Sequence, residues 1–386
     1  MFKSKSILFA ALATFTLFSC SEETAEPDLR TKIDYSLVTA TTPYKKLFVD
    51  AKGDTTVDFK AGNSRYRMFQ ALNYYLGGAV RESKILDVAV MKNMYANSGN
   101  PFVDVPTLNI KGADLNTSGV QLKNVTSSSK STADADVDRA RLEAVFGEMG
   151  LVSQSHSANA AKNTPGKLGT YLVDGKGIEI AQIIQKSLIG ALQLDYIGNV
   201  LLDKGLTAEN KKLVAGKNYT QLEQNWDEAY GMLTLSPVYL DKSTDAVRGT
   251  AESFLGSYLW EYNKPAYPKM HLAFVKGRAA IVNNDLTEVK TQATFIRTES
   301  EKAIAAAALG YLGKWKSGTT DAARAHAIGE GLGFIYSLRF CKLNGADAAF
   351  SDAILVGLVG SPGGFWDLTN DKINAASEAI ATKFKL

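Results

Sequence analysis

The stretch IEIAQIIQKSLIGALQLDYIGNVLLD, residues 178–203, decides the fold class. Its apolar side chains recur at three- and four-residue intervals, with Ile184, Leu188 and Ala191 on one stripe. That spacing is typical of an α-helix, whose turn takes 3.6 residues. The segment therefore predicts a long, very apolar helix.

Helical periodicity continues through most of the chain on either side of this stretch. Apolar stripes at 64–82 and 84–96 predict two helices, and the capping box at 131–134 predicts the start of a third. Thr220 begins another capping box. Further helical patterns cover 244–262, 268–283, 285–315, 320–341, 346–359 and 370–384. Convincing alternating strand patterns are absent, so we expect an all-α fold, a bundle of about ten helices.

Composition excludes several classes of protein. The 386 residues carry 43 Lys+Arg and 40 Asp+Glu, a formal charge of +3. Such a small excess argues against a nucleic-acid binder that works by broad phosphate neutralisation. The 45% of hydrophobic residues is enough for a sizeable core. Two cysteines exclude a disulfide framework and a Cys-rich metal site.

The first twenty residues, MFKSKSILFAALATFTLFSC, have the pattern of an export signal. Two lysines precede an apolar run at 7–18, which is too short for a membrane-spanning helix of about 20 residues. We therefore predict a signal peptide over residues 1–19. The sequence Leu17-Phe18-Ser19-Cys20 resembles the lipobox of bacterial lipoproteins, which implies that Cys20 is acylated after cleavage.

The residues after Cys20 predict the location of the protein and its domain organisation. Ser21-Glu22-Glu23 resembles the signal that sends Bacteroidota lipoproteins to the outer face of the outer membrane. We expect a lipidated, flexible tether over 20–43 and an all-α domain over 44–386. A loop at 159–176 that contains Gly and Pro divides that domain into expected sub-bundles, roughly 44–160 and 175–386.

His326 and Glu330 are candidate metal ligands. They lie four residues apart on one predicted helix and therefore project from the same face. An imidazole and a carboxylate at that spacing are able to contribute two ligands to zinc or iron. The alternative is a His–Glu hydrogen bond where two helices cross closely, which would explain the glycines at 329, 331 and 333.

The segment NWDEAYG at 225–231 supplies two more candidate metal ligands, Asp227 and Glu228. Glu223 and Asp227 are like charges one helical turn apart, so solvent, a basic side chain or a cation has to neutralise them. We expect a second helix to bring His326 or Glu330 to this acidic face. The alternative places the aromatic residues of the segment in the core and leaves the acids solvated or paired with Lys or Arg.

Asp195 is notable because it lies on the apolar helix at 178–203. An ionised carboxylate in such surroundings needs a partner. Its role is either a structural pair with an arginine or a functional one.

The common catalytic signatures are absent from the chain. It contains no HExxH motif, no GxSxG motif and no P-loop, so we assign no catalytic residues. The motifs therefore favour a binding protein over an enzyme.

The N-terminal segment, NWDEAYG and the run EGLGFIYSLRF at 330–340 together resemble a family of Bacteroidota lipoproteins of unknown function. That family is similar to the imelysin-like helical-bundle lipoproteins, which are encoded beside outer-membrane receptors in iron- or haem-acquisition loci. Imelysins carry a Gly-x-His-x-x-Glu motif. The nearest match here, AHAIGE at 325–330, lacks the first Gly and has one extra residue before Glu330, so only His326 and Glu330 carry over.

Three functions follow from these patterns. The first is a non-enzymatic, surface-exposed lipoprotein that assists iron, haem or metal acquisition, with an outer-membrane receptor as partner. The second is an imelysin-like metallopeptidase, with His326 and Glu330 as ligands and Glu228 as base. The third is a glycan-binding lipoprotein in which exposed aromatic rings, such as those of the four tryptophans, stack on sugars.

Overall fold

The computed structural model describes residues 29–233 and 253–386. The predicted signal peptide, Cys20 and residues 20–28 of the predicted tether lie outside these residues. The same is true of residues 244–252, the first part of one predicted helix.

The all-α prediction is confirmed, since the described residues form thirteen α-helices and one small hairpin. The helices of the first half are α1 (Tyr44–Leu47), α2 (Lys60–Arg81), α3 (Val88–Ala96), α4 (Gly112–Asn116), α5 (Thr132–Ser153), α6 (Ile180–Leu188) and α7 (Gln221–Leu233). Those of the second half are α8 (Phe254–Tyr262), α9 (Tyr267–Val282), α10 (Leu286–Ser317), α11 (Asp321–Ser337), α12 (Ala348–Val359) and α13 (Asn370–Phe384). Antiparallel strands β1 (Gly166–Leu168) and β2 (Tyr171–Val173) form the hairpin.

The stretch that decides the fold is helical along almost its whole length, but it contains two kinds of helix. Its α-helical part, α6, continues directly as a thirteen-residue π-helix, Ile189–Leu201. Most π-helices are single turns, and they occur frequently at functional sites. Gly190 allows close approach to the end of α11, because a Cβ at this position would lie 2.3 Å from the Ser337 Oγ.

One hydrophobic core runs through both predicted sub-bundles. Its buried side chains include Phe69 and Phe146 from the first half and Phe274 and Phe334 from the second. The helices that pack most extensively are α10 with α11, α9 with α10, α6 with α11, and α2 with α7. The loop at 159–176 contains the hairpin, which contacts α11. No helix among the described residues is long and apolar enough to cross a membrane.

The described part of the predicted tether lies against the domain. Asn283 accepts a hydrogen bond from the Ile33 amide (2.7 Å) and donates one to the Ile33 carbonyl (2.8 Å). The Tyr35 hydroxyl donates to Asp285 (3.2 Å), and Val38 is buried. These contacts hold the segment at the turn between α9 and α10. The polar composition of the segment had predicted a flexible tether and did not indicate this docking.

Candidate functional site

Helix α7 carries the acidic residues of the NWDEAYG segment. It begins with the predicted capping box: the Thr220 hydroxyl accepts from the Glu223 amide (3.2 Å), and the Glu223 carboxylate accepts from the Thr220 amide (2.7 Å). Glu223 and Asp227 are both fully buried. Their charges therefore need partners inside the protein.

Arg278 of α9 is the partner of both carboxylates. It donates from Nη1 to Glu223 (2.7 Å) and from Nε to Asp227 (3.0 Å), while the Tyr44 hydroxyl donates to Asp227 (2.8 Å). Arg30 forms a second ion pair with Glu223. Two guanidinium groups balance two carboxylates, so basic side chains are what neutralises this acidic face.

Glu228 faces different neighbours. It forms an ion pair with Arg65 of α2 and accepts a hydrogen bond from the Tyr196 hydroxyl (3.1 Å). Burial raises the pKa of Glu228, and the Arg65 charge opposes this shift. Burial likewise raises the pKa of Asp227, to about 6, although Arg278 and Tyr44 favour its charged form. Both candidate ligands are thus held in internal ion pairs.

His326 and Glu330 belong to a second cluster between α6 and α11, in which His326 is half-buried and Glu330 is buried. The His326 Nδ1 lies 2.7 Å from Glu179, and its Nε2 lies 3.2 Å from Glu330. Lys186 lies 3.7 Å from the other Glu330 oxygen, and the Tyr171 ring stacks on the imidazole at 4.1 Å. When His326 is protonated, two cations alternate with two carboxylates and their charges cancel.

The cluster shifts the protonation of two of its members in opposite directions. Burial alone would lower the pKa of His326, but hydrogen bonds to Glu179 and Glu330 raise it to about 9. Burial alone would raise the pKa of Glu330, but His326 and Lys186 lower it to about 2. At neutral pH the imidazole therefore favours its protonated form, in which both ring nitrogens donate to the two carboxylates.

Two of the three glycines of α11 are explained by the approach of α6. A Cβ at Gly333 would lie 2.5 Å from the Lys186 Cβ, and one at Gly329 would lie 3.1 Å from the Glu179 Cβ. The same two residues, Lys186 and Glu179, contact Glu330 and His326. This part of the chain therefore forms a close helix crossing with an internal His–Glu bond, the alternative to a metal site.

The four candidate ligands do not converge. Asp227 and Glu228 pair with arginines around α7, whereas His326 and Glu330 pair with Glu179 and Lys186 around α11. Within residues 29–233 and 253–386, no group of three His, Cys, Asp or Glu side chains is placed to hold a metal ion. The expected convergence on one metal site is corrected accordingly, because arginine and lysine take the positions that a cation would need.

Asp195 binds a loop rather than an arginine. In the centre of the π-helix, it accepts hydrogen bonds from the amide (3.0 Å) and the hydroxyl of Ser129 and from Asn199 (3.0 Å). Lys342 donates to the same hydroxyl, and Lys204 donates to the Ser129 carbonyl, each at 2.7 Å. The buried carboxylate thus clamps a serine-rich loop, and two lysines hold the same serine.

A cavity of about 400 Å³ lies between α5, α6, α11 and α12. Its walls are mainly aliphatic and include Leu142, Ile183, Ile184, Leu332 and Leu355. Ligand sites in proteins are typically apolar clefts of about 300–1,000 Å³ with a few polar groups. The cavity has the size and the lining of such a site.

Charged groups of both signs border this cavity. Arg141, Glu148, Asp174 and Lys176 are among the residues that line it. Burial raises the pKa of Glu148 and of Asp174, and the Asp174 charge adds to the shift of Glu148. A guest with an apolar body and polar substituents would find suitable surroundings for each part.

The cavity was not predicted because it has no local signature in the sequence. Ile183 and Ile184 belong to a helix whose apolar residues all resemble core positions, and Leu332 and Leu355 come from two later helices. The space between them arises only when these helices pack. No motif is able to indicate such a site.

Comparison with known protein families gives a match with the same bounds as the predicted all-α domain. The family described as domain of unknown function DUF4856 matches residues 44–386. No curated protein and no solved structure matches the chain. Because the match covers the whole predicted all-α domain, the chain belongs to the DUF4856 family.

Proposed function

We propose that this protein is a lipid-anchored, non-enzymatic accessory protein of the outer cell envelope that binds a small organic ligand. The ligand site is the cavity between α5, α6, α11 and α12. Its role is in iron or haem acquisition, in partnership with an outer-membrane receptor. The cavity is the observation that carries the binding function, whereas the link to iron comes from the resemblance to imelysin-like lipoproteins.

The chemistry of the cavity favours an organic guest over a bare metal ion. The walls are mainly aliphatic, which suits the apolar body of an organic guest, and Arg141 and Lys176 supply positive charge for carboxylates of that guest beside the acidic Glu148 and Asp174. Haem, with an apolar macrocycle and two propionates, belongs to this chemical class, as do aromatic iron chelates. The proposal therefore concerns iron carried in an organic ligand.

Titration with haem and with its metal-free analogue protoporphyrin IX tests this proposal. Binding to the full chain is followed by the visible absorbance of haem and by porphyrin fluorescence. Ile183 lines the cavity and is half-buried, so an Ile183→Trp change places a larger side chain in the space. We expect binding of both compounds to wild type and at least about tenfold weaker binding to the variant.

Ile85→Trp is the matched control, because Ile85 is exposed on another part of the domain. It should bind like wild type. Unfolding curves of both variants establish that the fold is retained. Equal affinity of all three proteins for the porphyrins, or no binding by any, would refute the cavity as the site.

A separate measurement tests whether His326 and Glu330 bind a metal ion directly. Metal content is compared between protein purified without chelators and a His326→Ala/Glu330→Ala double variant. We expect equal and negligible metal in both, because His326 and Glu330 bind Glu179 and Lys186. Stoichiometric iron or zinc in wild type alone would restore the metal site.

The envelope location has its own test. Labelling with a radioactive fatty acid should mark the wild-type protein and not a Cys20→Ser variant, and protease added to intact cells should degrade the surface-exposed domain. An unlabelled wild-type protein would refute the lipid anchor without affecting the cavity. A domain that resists protease on intact cells but not on lysed cells would refute the surface location.

The two alternative functions have less support. Both ring nitrogens of His326 lie within hydrogen-bonding distance of carboxylates, which leaves a metallopeptidase without this ligand. Trp226, Trp260 and Trp315 are buried, so they offer no stacking surface to a glycan. The half-buried Trp366 donates its indole N–H to the Gly175 carbonyl (3.3 Å).

A further inference from the structure

Three segments distant in sequence meet where the N-terminal residues dock onto the domain. Residues 29–37 bind the turn at 283–286 through Asn283 and Asp285. Residues 210–218 join the same region, because Asn210 donates to the Ile281 carbonyl (2.8 Å) and Arg30 donates to the Asn218 carbonyl (2.6 Å). We call these three segments, 29–37, 210–218 and 283–286, the anchor-proximal face.

This face exposes an unusual number of leucines. Of the seven leucines that the described residues expose, four belong to it: Leu29 (45%), Leu37 (69%), Leu213 (47%) and Leu286 (51%). Single exposed leucines are normal on protein surfaces, but their grouping indicates contact with an apolar partner. The grouping here is drawn from three segments that have no common sequence pattern.

Lysines accompany these leucines. Lys211, Lys212 and Lys217 are exposed in the segment that contains Leu213. The acids of the three segments are Asp34, whose carboxylate accepts from the Ser36 amide (2.8 Å), and Asp285, which accepts from Tyr35 and caps α10. Both acids thus accept hydrogen bonds from neighbouring residues, while the lysines lie exposed on a loop. Leucine and lysine together are the side chains that favour the interface of an anionic bilayer.

The length of chain between Cys20 and this face limits where the face is able to lie. Nine residue steps separate Cys20 from Leu29, and a fully extended chain of that length spans at most about 32 Å. A compact domain of this size has a radius of gyration of about 20 Å, and so a diameter larger than the span. A lipid on Cys20 therefore keeps the docked segment closer to the bilayer than the opposite side of the domain.

We infer that the anchor-proximal face is a membrane-docking surface, which lies on anionic lipid headgroups and inserts its leucines among them. The inference rests on the lipid anchor of the proposed function for its geometry. It adds that the domain itself binds the bilayer and is held in one orientation. The partner is a lipid surface and not a second copy of the chain or a receptor protein.

Vesicle sedimentation tests this inference with the mature chain from residue 20, carrying Cys20→Ser so that no acyl chain contributes. The vesicles contain equal parts of phosphatidylglycerol and phosphatidylcholine, or phosphatidylcholine alone. We expect stronger binding to the anionic vesicles. A Lys211→Gln/Lys212→Gln variant should bind about fivefold more weakly per lysine removed at low salt, and Leu37→Ser/Leu213→Ser/Leu286→Ser at least about tenfold more weakly.

The matched control changes three strongly exposed apolar residues outside this face, Val137→Ser/Leu151→Ser/Val356→Ser. It should sediment with anionic vesicles like the parent chain. Absence of binding to anionic vesicles, or an equal loss in the control, would overturn the inference. So would a change from dimer to monomer in the leucine variant at sedimentation equilibrium, because the face would then be an interface between copies.

Failure of this inference and failure of the proposed function are distinguishable. The leucine variant leaves the cavity intact and should bind protoporphyrin IX with unchanged affinity. Acylation of Cys20 is measured independently by fatty-acid labelling. An unlabelled Cys20 would refute the lipid anchor alone. The effect of Ile183→Trp on porphyrin binding tests the cavity alone, and it does not depend on the outcome of the labelling or of the vesicle experiment.

Discussion

Gly333 of α11 lies so close to Lys186 of α6 that a Cβ added to the glycine would be 2.5 Å from the lysine Cβ. Gly333→Ala therefore requires the two helices to move apart, and we expect a loss of about 1–3 kcal/mol in the free energy of unfolding. Gly313→Ala in α10 is the control, since its Cβ would meet nothing within 4 Å. It should stabilise the protein by up to about 1 kcal/mol.

Urea unfolding of the two variants measures both values. A Gly333→Ala protein as stable as Gly313→Ala would contradict the close crossing of α6 and α11.

Arg278 neutralises two fully buried carboxylates, Glu223 and Asp227. Replacing it by methionine would leave these charges with only Arg30, so Arg278→Met should destabilise the protein by about 3–5 kcal/mol at neutral pH. The loss should be smaller below pH 6, because the pKa of Asp227 is about 6 and its carboxylate is then protonated. Lys314→Met removes the exposed ion pair with Glu261 and should change stability by less than about 1 kcal/mol. Similar losses in the two variants on chemical denaturation would contradict the buried network.

Stability should fall as His326 loses its proton. Its pKa of about 9 in the folded protein exceeds the ordinary value of 6.5, so its contribution is complete below pH 6.5 and is lost as the pH rises through 9. Between pH 6 and pH 10, the free energy of unfolding should decrease less for His326→Gln than for wild type. In an NMR titration, His271 is the internal comparison, because burial lowers its pKa. A titration midpoint of His326 below that of His271 would refute the raised pKa of His326.

Arg30 connects the N-terminal segment to the buried network through Glu223 and the Asn218 carbonyl. In Arg30→Met, the amides of Leu37 and Val38 should exchange with solvent faster, since their segment loses a charged contact with the domain. Hydrogen exchange measured by mass spectrometry reports this change. Lys52→Met, an exposed lysine on another loop, should leave the exchange of these amides unaltered. Unchanged exchange in Arg30→Met as well would show that Arg30 does not hold the segment.

Most of the fold was predictable because helices are encoded locally. The capping box at Thr220 and the N-cap at Thr320 form as predicted. At Ser131 the N-cap bond forms, but the Asp134 carboxylate accepts from the Ser131 hydroxyl and not from its backbone amide. The π-helical continuation of α6 was not predictable, because its residues have ordinary helical periodicity. The hairpin at 166–173 was not predicted either, since its strands are only three residues long.

The site was harder to predict, since it depends on contacts between distant segments. The pattern of Glu223 and Asp227 indicated a neutralising partner, but only packing shows that Arg278 of another helix supplies it. The spacing of His326 and Glu330 fits a metal pair and a helix crossing equally well. Glu179 and Lys186 decide between them, and nothing in the sequence connects these residues.

Hydrogen exchange of the full chain with and without protoporphyrin IX tests the ligand cavity most directly. We predict slower exchange with the ligand in 141–148 of α5, 180–188 of α6 and 332–336 of α11, which surround the cavity. The helices around Asp227 and His271 do not line the cavity and should be unchanged. Protection confined to those two helices, or no protection anywhere, would contradict the account.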